Sequence, residues 1–258
     1  MKTYPKWLSA AVLSAMLASP AAALETKAKN VILMDYDTGE YLFAENAFVP
    51  VAPASMSKLM TVYVLFSKLK DGTLSLEDVF SVSENAWRTG GAASGSSTMF
   101  LPIGSKVTVE NLIKGIIIQS GNDACIVAAE NIAGSEEDFA ELMNAKAKEL
   151  GLKNSHFVNS TGLPHPDHRM SAEDLARLAQ ALIRDFPEYY SVFSQKSFTY
   201  NNILQGNRNP LLYSMPDADG LKTGHTAEAG FCLTASVKRG DRRLIGVMTG
   251  LKSNKERS

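Results

Sequence analysis

The hydrophobic pattern has a period near two at both ends of the chain and a helical period through most of the stretch between, which restricts the possible folds severely. Val31-Ile32-Leu33-Met34 and Tyr41-Leu42-Phe43 read as strands around the turn residues Asp37-Thr38-Gly39-Glu40, giving a hairpin over 30–46. At the other end, Ala229 to Lys238 and Arg242 to Gly250 read as two strands joined at Arg239-Gly240-Asp241. Between them the spacing predicts a helix opened by Pro53-Ala54-Ser55 and running to about Lys70, with Leu59, Met60, Val62, Tyr63 and Phe66 apolar. From Asp71 to Asp185 the pattern is mostly helical. Thr108 caps one helix, Asn122–Ala133 forms another closed by Gly134, and Ser135 with Asp138 opens a third whose Phe139, Leu142 and Met143 share a face and which Gly151 ends. A last helix begins at Ser171 and stops at Pro187, and Gly90 to Ser97 is a loop without periodicity. Strands, helices, then strands again argue for an α+β fold: an antiparallel sheet formed by both chain ends, with a helical insertion. No repeat or low-complexity tract marks a further domain.

The first 23 residues stand apart. Lys2 and Lys6 precede the apolar stretch Trp7–Ala18, and Ala21-Ala22-Ala23 follows the break at Ser19-Pro20, the pattern of a cleaved secretory signal. That stretch is well short of the ~20 residues a spanning helix requires. Residues 24–258 are then the working domain of an exported protein. Of 258 residues, 26 are Lys or Arg and 27 Asp or Glu, so no basic excess suggests a nucleic-acid partner. Two cysteines cannot build a disulfide framework. Cys125 and Cys232, each in an apolar run, are expected as buried thiols.

Three short polar motifs interrupt the apolar pattern. Ser55-Met56-Ser57-Lys58 places a hydroxyl and an amine three residues apart, on one face of a helix. A serine needs a base to become a nucleophile, and a lysine serves only when its pKa is lowered enough to leave it neutral. Ser120-Gly121-Asn122 falls between two apolar helices and can present a hydroxyl and an amide to a cleft. Lys222-Thr223-Gly224 precedes the terminal hairpin, and Gly224 would let a substrate backbone lie close. Each motif has a decoy: Ser67 with Lys70, Ser83-Glu84-Asn85, and Arg88-Thr89-Gly90. Singly, each reads as a solvated face, a connection or an edge charge; the order and setting of the three together carry the information.

That order, S-x-x-K, S-x-N, K-T-G, is that of penicillin-recognising serine enzymes. At these residues the chain resembles the low-molecular-mass penicillin-binding proteins that are D-alanyl-D-alanine carboxypeptidases. The resemblance extends to Gln119–Cys125, Gly151–Phe157 and Lys222–Thr226, and runs from about Leu33 to Gly250. It implies a β-lactamase/transpeptidase-like fold, an acyl-accepting Ser55, Lys58 as its base, and Ser120 passing the proton to the leaving amine. It further implies that Asn122 holds the acyl side of the substrate, that the N–H groups of Ser55 and His225 form an oxyanion hole, and that Thr223, with Lys222 as a cation behind it, receives the terminal carboxylate while the substrate backbone lies against Gly224. Arg208 resembles an arginine that the family places near that carboxylate; a loop charge is the equal alternative. The implied substrate is a peptidoglycan pentapeptide ending in D-Ala-D-Ala, with β-lactams as inhibitors, in the periplasm or on the outer face of the cytoplasmic membrane. No cofactor or metal is implied, and His165-Pro166-Asp167-His168 reads as a solvated turn.

The chain also departs from the family pattern. Many members continue past the last strand into a covering helix, a small β-rich domain and an amphipathic membrane anchor, whereas this sequence stops at Ser258; a truncated C-terminus is the expectation, and no membrane anchor can be assigned. Leu244, Ile245, Val247 and Met248 alternate poorly, suggesting burial on both faces. Leu251 stands where some relatives carry an arginine. Two rival functions remain: a β-lactamase of the same fold, for which Glu141-Leu142-Met143-Asn144 is the near match to a water-positioning segment, and a non-catalytic cell-wall peptide-binding protein.

Overall fold

The computed structural model describes residues 25–258; the leader read over residues 1–23 lies outside them. Strands β1 (Asn30–Asp35) and β2 (Tyr41–Glu45) form the expected N-terminal hairpin. A single 3-10 turn, Ala54–Ser57, leads into helix α1 (Lys58–Lys70). A two-stranded ribbon, β3 (Val79–Ser81) with β4 (Lys106–Thr108), precedes α2 (Val109–Lys114), α3 (Asn122–Ala133), α4 (Glu136–Glu149) and α5 (Ala172–Asp185). A second ribbon, β5 (Ser197–Tyr200) and β6 (Ile203–Gly206), is followed by β7 (Ala218–Thr226), β8 (Gly230–Arg239) and β9 (Arg242–Leu251). The main sheet has the order β2-β1-β9-β8-β7 and is antiparallel throughout, with Asn30 opposite Thr249 and Asp35 opposite Leu244. Both chain ends thus build one sheet around a helical insertion, as the sequence pattern requires.

The helices keep their capping chemistry. Thr108, Ser135 and Ser171 each accept the N–H three residues on. Helix α1 is buried on every side, from Leu59 to Phe66, because it runs through the core between the sheet side and the insertion. Helix α5 lays Leu175, Leu178 and Leu182 into the core against β9 and β1.

Several expectations need correction. The stretch from Asp71 to Asp185 also contains the β3–β4 ribbon, and the helical run through Ile116 and Ile117 passes into a π turn at Gly115–Gln119. Leu142 is exposed while Phe139 and Met143 are buried, since the contact face of α4 is narrow. Helix α5 does stop just before Pro187, as expected, but Pro187 then opens a further short helix, Pro187–Tyr190, as a residue suited to a first turn. Strand β9 alternates strictly: Ile245 and Val247 are buried in the core, whereas Leu244 and Met248 are half-buried on the outer face. Gly246 at the centre of the strand masks that alternation in the sequence. His165 and Asp167 are exposed, but His168 is buried edge-on against Phe157, so the turn is only partly solvated.

Candidate active site

The first turn of the Pro53–Lys70 segment is tighter than an α-helix. In a 3-10 turn, residues i and i+3 eclipse, which stacks Ser55 directly against Lys58. Lys58 Nζ lies 2.9 Å from Ser55 Oγ and donates to Asn122 Oδ1 at 2.7 Å and to the carbonyl of Thr161. Two of these three partners are acceptors only. A neutral amine has two N–H donors and one lone pair, so donation to Asn122 and Thr161 leaves the lone pair facing the Ser55 hydroxyl, which then donates. Burial of Lys58, 1% exposed, pushes its pKa down to about 8, and the Arg208 charge adds to that.

Ser120 closes the π turn with a left-handed backbone, φ 66°, and Gly121 follows as the N-cap of α3. That break turns Ser120 Oγ towards Lys222 Nζ, 2.9 Å away. Lys222 also donates to the Thr223 carbonyl and is buried on β7. It is an edge-strand residue without being an exposed edge charge. Burial, then the charges of Lys58 and Arg208, lower its pKa well below the ordinary lysine value. Two buried ammonium groups without a carboxylate partner are costly, so the pair is disposed to hold fewer than two protons. An expectation of Lys222 as a fixed cation therefore holds only with an anion beside it.

A cavity of about 430 Å³ opens over these groups, lined by Ser55, Ser120, Asn122, Arg208, Thr223, Gly224 and His225 together with Arg257 and the 95–97 loop. The approach of Ser55 to β7 is close: a Cβ at Gly224 would sit 3.1 Å from Ala54 Cβ and from the Pro53 carbonyl oxygen. The loop opposite is tighter still. A Cβ at Gly162, whose φ is +79°, would meet the Ala54 carbonyl oxygen at 2.1 Å. Arg208 Nη1 reaches across the cavity to Ser97 Oγ at 2.7 Å, and burial lowers its pKa. The 98–101 loop is tied down by Asp123, which accepts from Thr98, Met99 and Leu101. All nine residues named from the sequence converge here.

The decoys do not. Ser67 Oγ donates to its own helix at Tyr63, and Lys70 to the Asp185 carbonyl. Ser83 and Asn85 both donate to Glu130, and Thr89 donates to the Asn85 carbonyl. Glu141 lines a different cavity, and Asn144 is engaged with the backbone of Phe157. Cys125 and Cys232 are buried free thiols, and burial pushes Cys125 up to about 12. Motif reasoning missed Thr161, Gly162, Ser97 and Arg257. Asn159-Ser160-Thr161-Gly162 does carry a turn signature, in which Asn159 Oδ1 accepts from the N–H groups of Thr161 and Gly162.

The chain is similar to known D-alanyl-D-alanine carboxypeptidases and penicillin binding proteins. The sequence profile described as D-alanyl-D-alanine carboxypeptidase matches residues 16–253. The chain is 49% identical to the D-alanyl-D-alanine carboxypeptidase DacC of Escherichia coli over 228 residues, 88% of this chain and 57% of that protein. Among solved structures it resembles the D-alanyl-D-alanine carboxypeptidase DacD of Francisella tularensis, with a TM-score of 0.88 at 35% identity over 95% of this chain and 70% of that one. Penicillin binding protein 6B of Escherichia coli gives a TM-score of 0.87 at 44% identity, over 92% of this chain and 75% of that one. The chain spans 57% and 58% of the length of the two curated Escherichia coli relatives DacC and DacA. With a profile match over nearly its whole length and the α+β fold of its structural neighbours, this chain belongs to the D-alanyl-D-alanine carboxypeptidase family of serine peptidases.

Proposed function

We propose that residues 24–258 are the catalytic domain of a serine-type D-Ala-D-Ala carboxypeptidase, which removes the terminal D-alanine from peptidoglycan stem peptides. The observation that carries this reading is the pairing of Lys58 Nζ with Ser55 Oγ at 2.9 Å while two fixed acceptors occupy the other amine positions. Binding a peptide does not need a nucleophile held against a base, so a non-catalytic cell-wall receptor fits this arrangement poorly.

In this reading Ser55 Oγ attacks the carbonyl of the penultimate D-alanine and its proton passes to Lys58. The N–H groups of Ser55 and His225 stabilise the oxyanion, a contribution of roughly 3–4 kcal/mol per donor in other hydrolases. Ser120, in contact with Lys222, delivers a proton to the departing amine. Asn122 holds the acyl chain. Thr223, Lys222 and Arg208 receive the terminal carboxylate over the open backbone of Gly224, and that anion raises the pKa of Lys222 and restores its charge. Water then hydrolyses the acyl-enzyme. β-Lactams enter by the same acylation. No acidic residue lines the cavity among the described residues, so a carboxylate-activated water of the β-lactamase kind has no support there.

The leader-like sequence of residues 1–23 supports a working place in the periplasm or on the outer face of the cytoplasmic membrane, where the proposed substrate is. Among the described residues no helix is long and apolar enough to cross a membrane. Intact mass after incubation with penicillin, together with D-alanine release from a stem-peptide substrate, tests the proposal. A long-lived adduct on the wild type, absent from Ser55→Ala, with D-alanine release, is expected. Penicillin turnover at tens per second would favour a β-lactamase, and no adduct with tight peptide binding would favour a receptor.

A further inference from the structure

The segment from Phe157 to Leu163 carries the Thr161 carbonyl to Lys58 and has no helix or strand of its own. Its buried backbone groups must be met by side chains from neighbouring elements. Asn144 bonds both the N–H and the carbonyl of Phe157, and His168 Nδ1 accepts from the Val158 N–H. At Ser160, which is fully buried, two helices meet the loop. Thr61 Oγ1, three residues along α1 from Lys58, donates to the Ser160 carbonyl at 2.6 Å, so successive carbonyls of the loop rest on one face of that helix. From α4, a single oxygen of Glu136, Oε1, accepts both the Ser160 N–H at 3.1 Å and the Ser160 hydroxyl. All three polar groups of Ser160 are thereby engaged.

Hydrogen bonds to a carboxylate are about twice as strong as those between neutral groups. Glu136 also stands in the first turn of α4, next to the N-cap Ser135, where a helix end favours negative charge. It does not line the cavity, so any effect on the reaction passes through the loop. A displaced Ser160 carries the adjoining Thr161 carbonyl with it. Lys58 would then keep one fixed acceptor, Asn122, and nothing would direct its lone pair at Ser55. We propose that Glu136 is a positioning residue for acylation: by clamping Ser160 it fixes the Thr161 carbonyl as the acceptor that turns the Lys58 lone pair towards Ser55. The step it serves rests on the serine-carboxypeptidase reading; the clamp itself does not. The charge of Glu136 also reaches Lys58 and raises its pKa, as does that of Asp123 on α3, against the larger effect of burial and the opposing charge of Arg208. Lys222 on β7 shares the site. The Cys125 thiol, pushed up to about 12, and His168, pushed down to about 4, are both neutral near pH 8.

The test is single-turnover acylation by a fluorescent penicillin from about pH 6 to pH 10, on variants whose folding is checked by urea midpoint. Glu136→Ala leaves the Ser160 donors unpaired and should lower the high-pH plateau rate by about 10- to 100-fold, the scale of a small misplacement remote from the chemistry. Glu136→Gln keeps an acceptor oxygen without the charge. It should restore the plateau to within a few-fold of wild type while the inflexion moves from near pH 8 towards acid by about half a unit, because losing a nearby negative charge favours neutral Lys58. Ser160→Ala removes one of the two bonds, should give a smaller plateau loss, and carries the test if Glu136→Ala folds poorly. A lowered urea midpoint with a wild-type plateau in both Ala variants would reduce Glu136 to a structural support. A Gln variant as slow as Glu136→Ala, or one with an unmoved inflexion, would equally overturn the proposal. If the wild-type chain takes up no penicillin at any pH, yet the Lys58 side chain followed by NMR titrates lower in Glu136→Gln than in wild type, the carboxypeptidase reading fails and the placement of Glu136 beside the Lys58 loop stands.

Discussion

In the proposed mechanism the protonation of Lys58 sets how fast Ser55 is acylated, and the burial of Lys58 gives that dependence a magnitude. With its pKa pushed down to about 8 by burial, the neutral fraction is about one-tenth at pH 7 and about nine-tenths at pH 9, so acylation should rise about tenfold across that interval and then level off. Arginine in the same place keeps its proton, which removes the base altogether, and a loss of about 10³-fold or more is expected for Lys58→Arg. Single-turnover acylation by a fluorescent penicillin, followed from about pH 6 to pH 10, measures both. Stability has its own sign. The folded-state pKa lies below the unfolded value of 10.5, so between about 8 and 10.5 the unfolded chain holds the extra proton and the native state gains stability as pH rises, by about 3 kcal/mol in total. Urea midpoints of wild type and Lys58→Met over that interval should therefore converge as the pH rises. A pH-independent wild-type acylation rate, or an Arg variant acylating within tenfold of wild type while still folded, would refute the assignment of Lys58 as the base.

Lys222→Arg should retain part of the acylation rate because a cation remains beside Ser120 and the substrate carboxylate, whereas Lys222→Ala should lose most of it; equal and complete loss in both would show that the site needs the ammonium's shape. Gly162→Ala should cost about 2–3 kcal/mol in chemical denaturation, since a left-handed backbone and contact with the Ala54 carbonyl are both penalised, and should slow acylation through the displaced Ser55 turn; an unchanged midpoint and rate would show that the loop yields freely. His168, buried with its pKa pushed down to about 4, stays neutral in the native state while the unfolded chain protonates near 6.5. Stability is thus lost as pH falls from about 6.5 to 4, by about 3 kcal/mol, and His168→Gln should lack that loss in parallel acid melts, with Asp174, whose pKa burial raises to about 6, acting alike in both proteins.

The parts of this fold that follow a hydrophobic period were legible in the sequence, and so was the ordered set of polar motifs that converges on the cavity. The β1–β2 and β8–β9 hairpins, α1, α3 and the caps at Thr108, Ser135 and Ser171 obey rules that act over a few residues. Strand β7 does not: Gly220-Leu221-Lys222-Thr223-Gly224-His225-Thr226 alternates no hydrophobic pattern, because most of the strand is buried, with Thr223, His225 and Thr226 lining the cavity and Lys222 bonded to Ser120. The π turn before Ser120 is invisible for a related reason, since Gly115–Gln119 has the apolar spacing of an ordinary helix and departs from it only to end at a left-handed serine. Thr161 contributes a backbone carbonyl, which leaves no trace in residue identity. Arg257 reads as one more charge in a polar terminus until folding brings it to the same cavity as Arg208.

The features to which the proposed reactivity is assigned are the ones least favourable to the fold. Lys58 and Lys222 are buried without a carboxylate partner, and Ala54 and Ser120 hold left-handed backbones at φ 49° and 66°. Such costs persist only where surrounding structure overdetermines the geometry. Here the surrounding structure is unusually well placed to do so. Helix α1 is enclosed on all sides, so Lys58 cannot leave with its proton for solvent. The sheet is closed by both chain ends, β1 on β9 and β8 on β7, so Lys222 is fixed relative to the first strand of the domain as well as the last. Asp123 anchors the loop that bears Ser97, and Gly162 fits where no side chain can. Relieving any one of these restraints would let a buried amine reach water and regain its ordinary pKa, and a protonated Lys58 cannot take the serine proton. In the proposed mechanism, the rigidity of the core is what keeps Lys58 available as the base for Ser55.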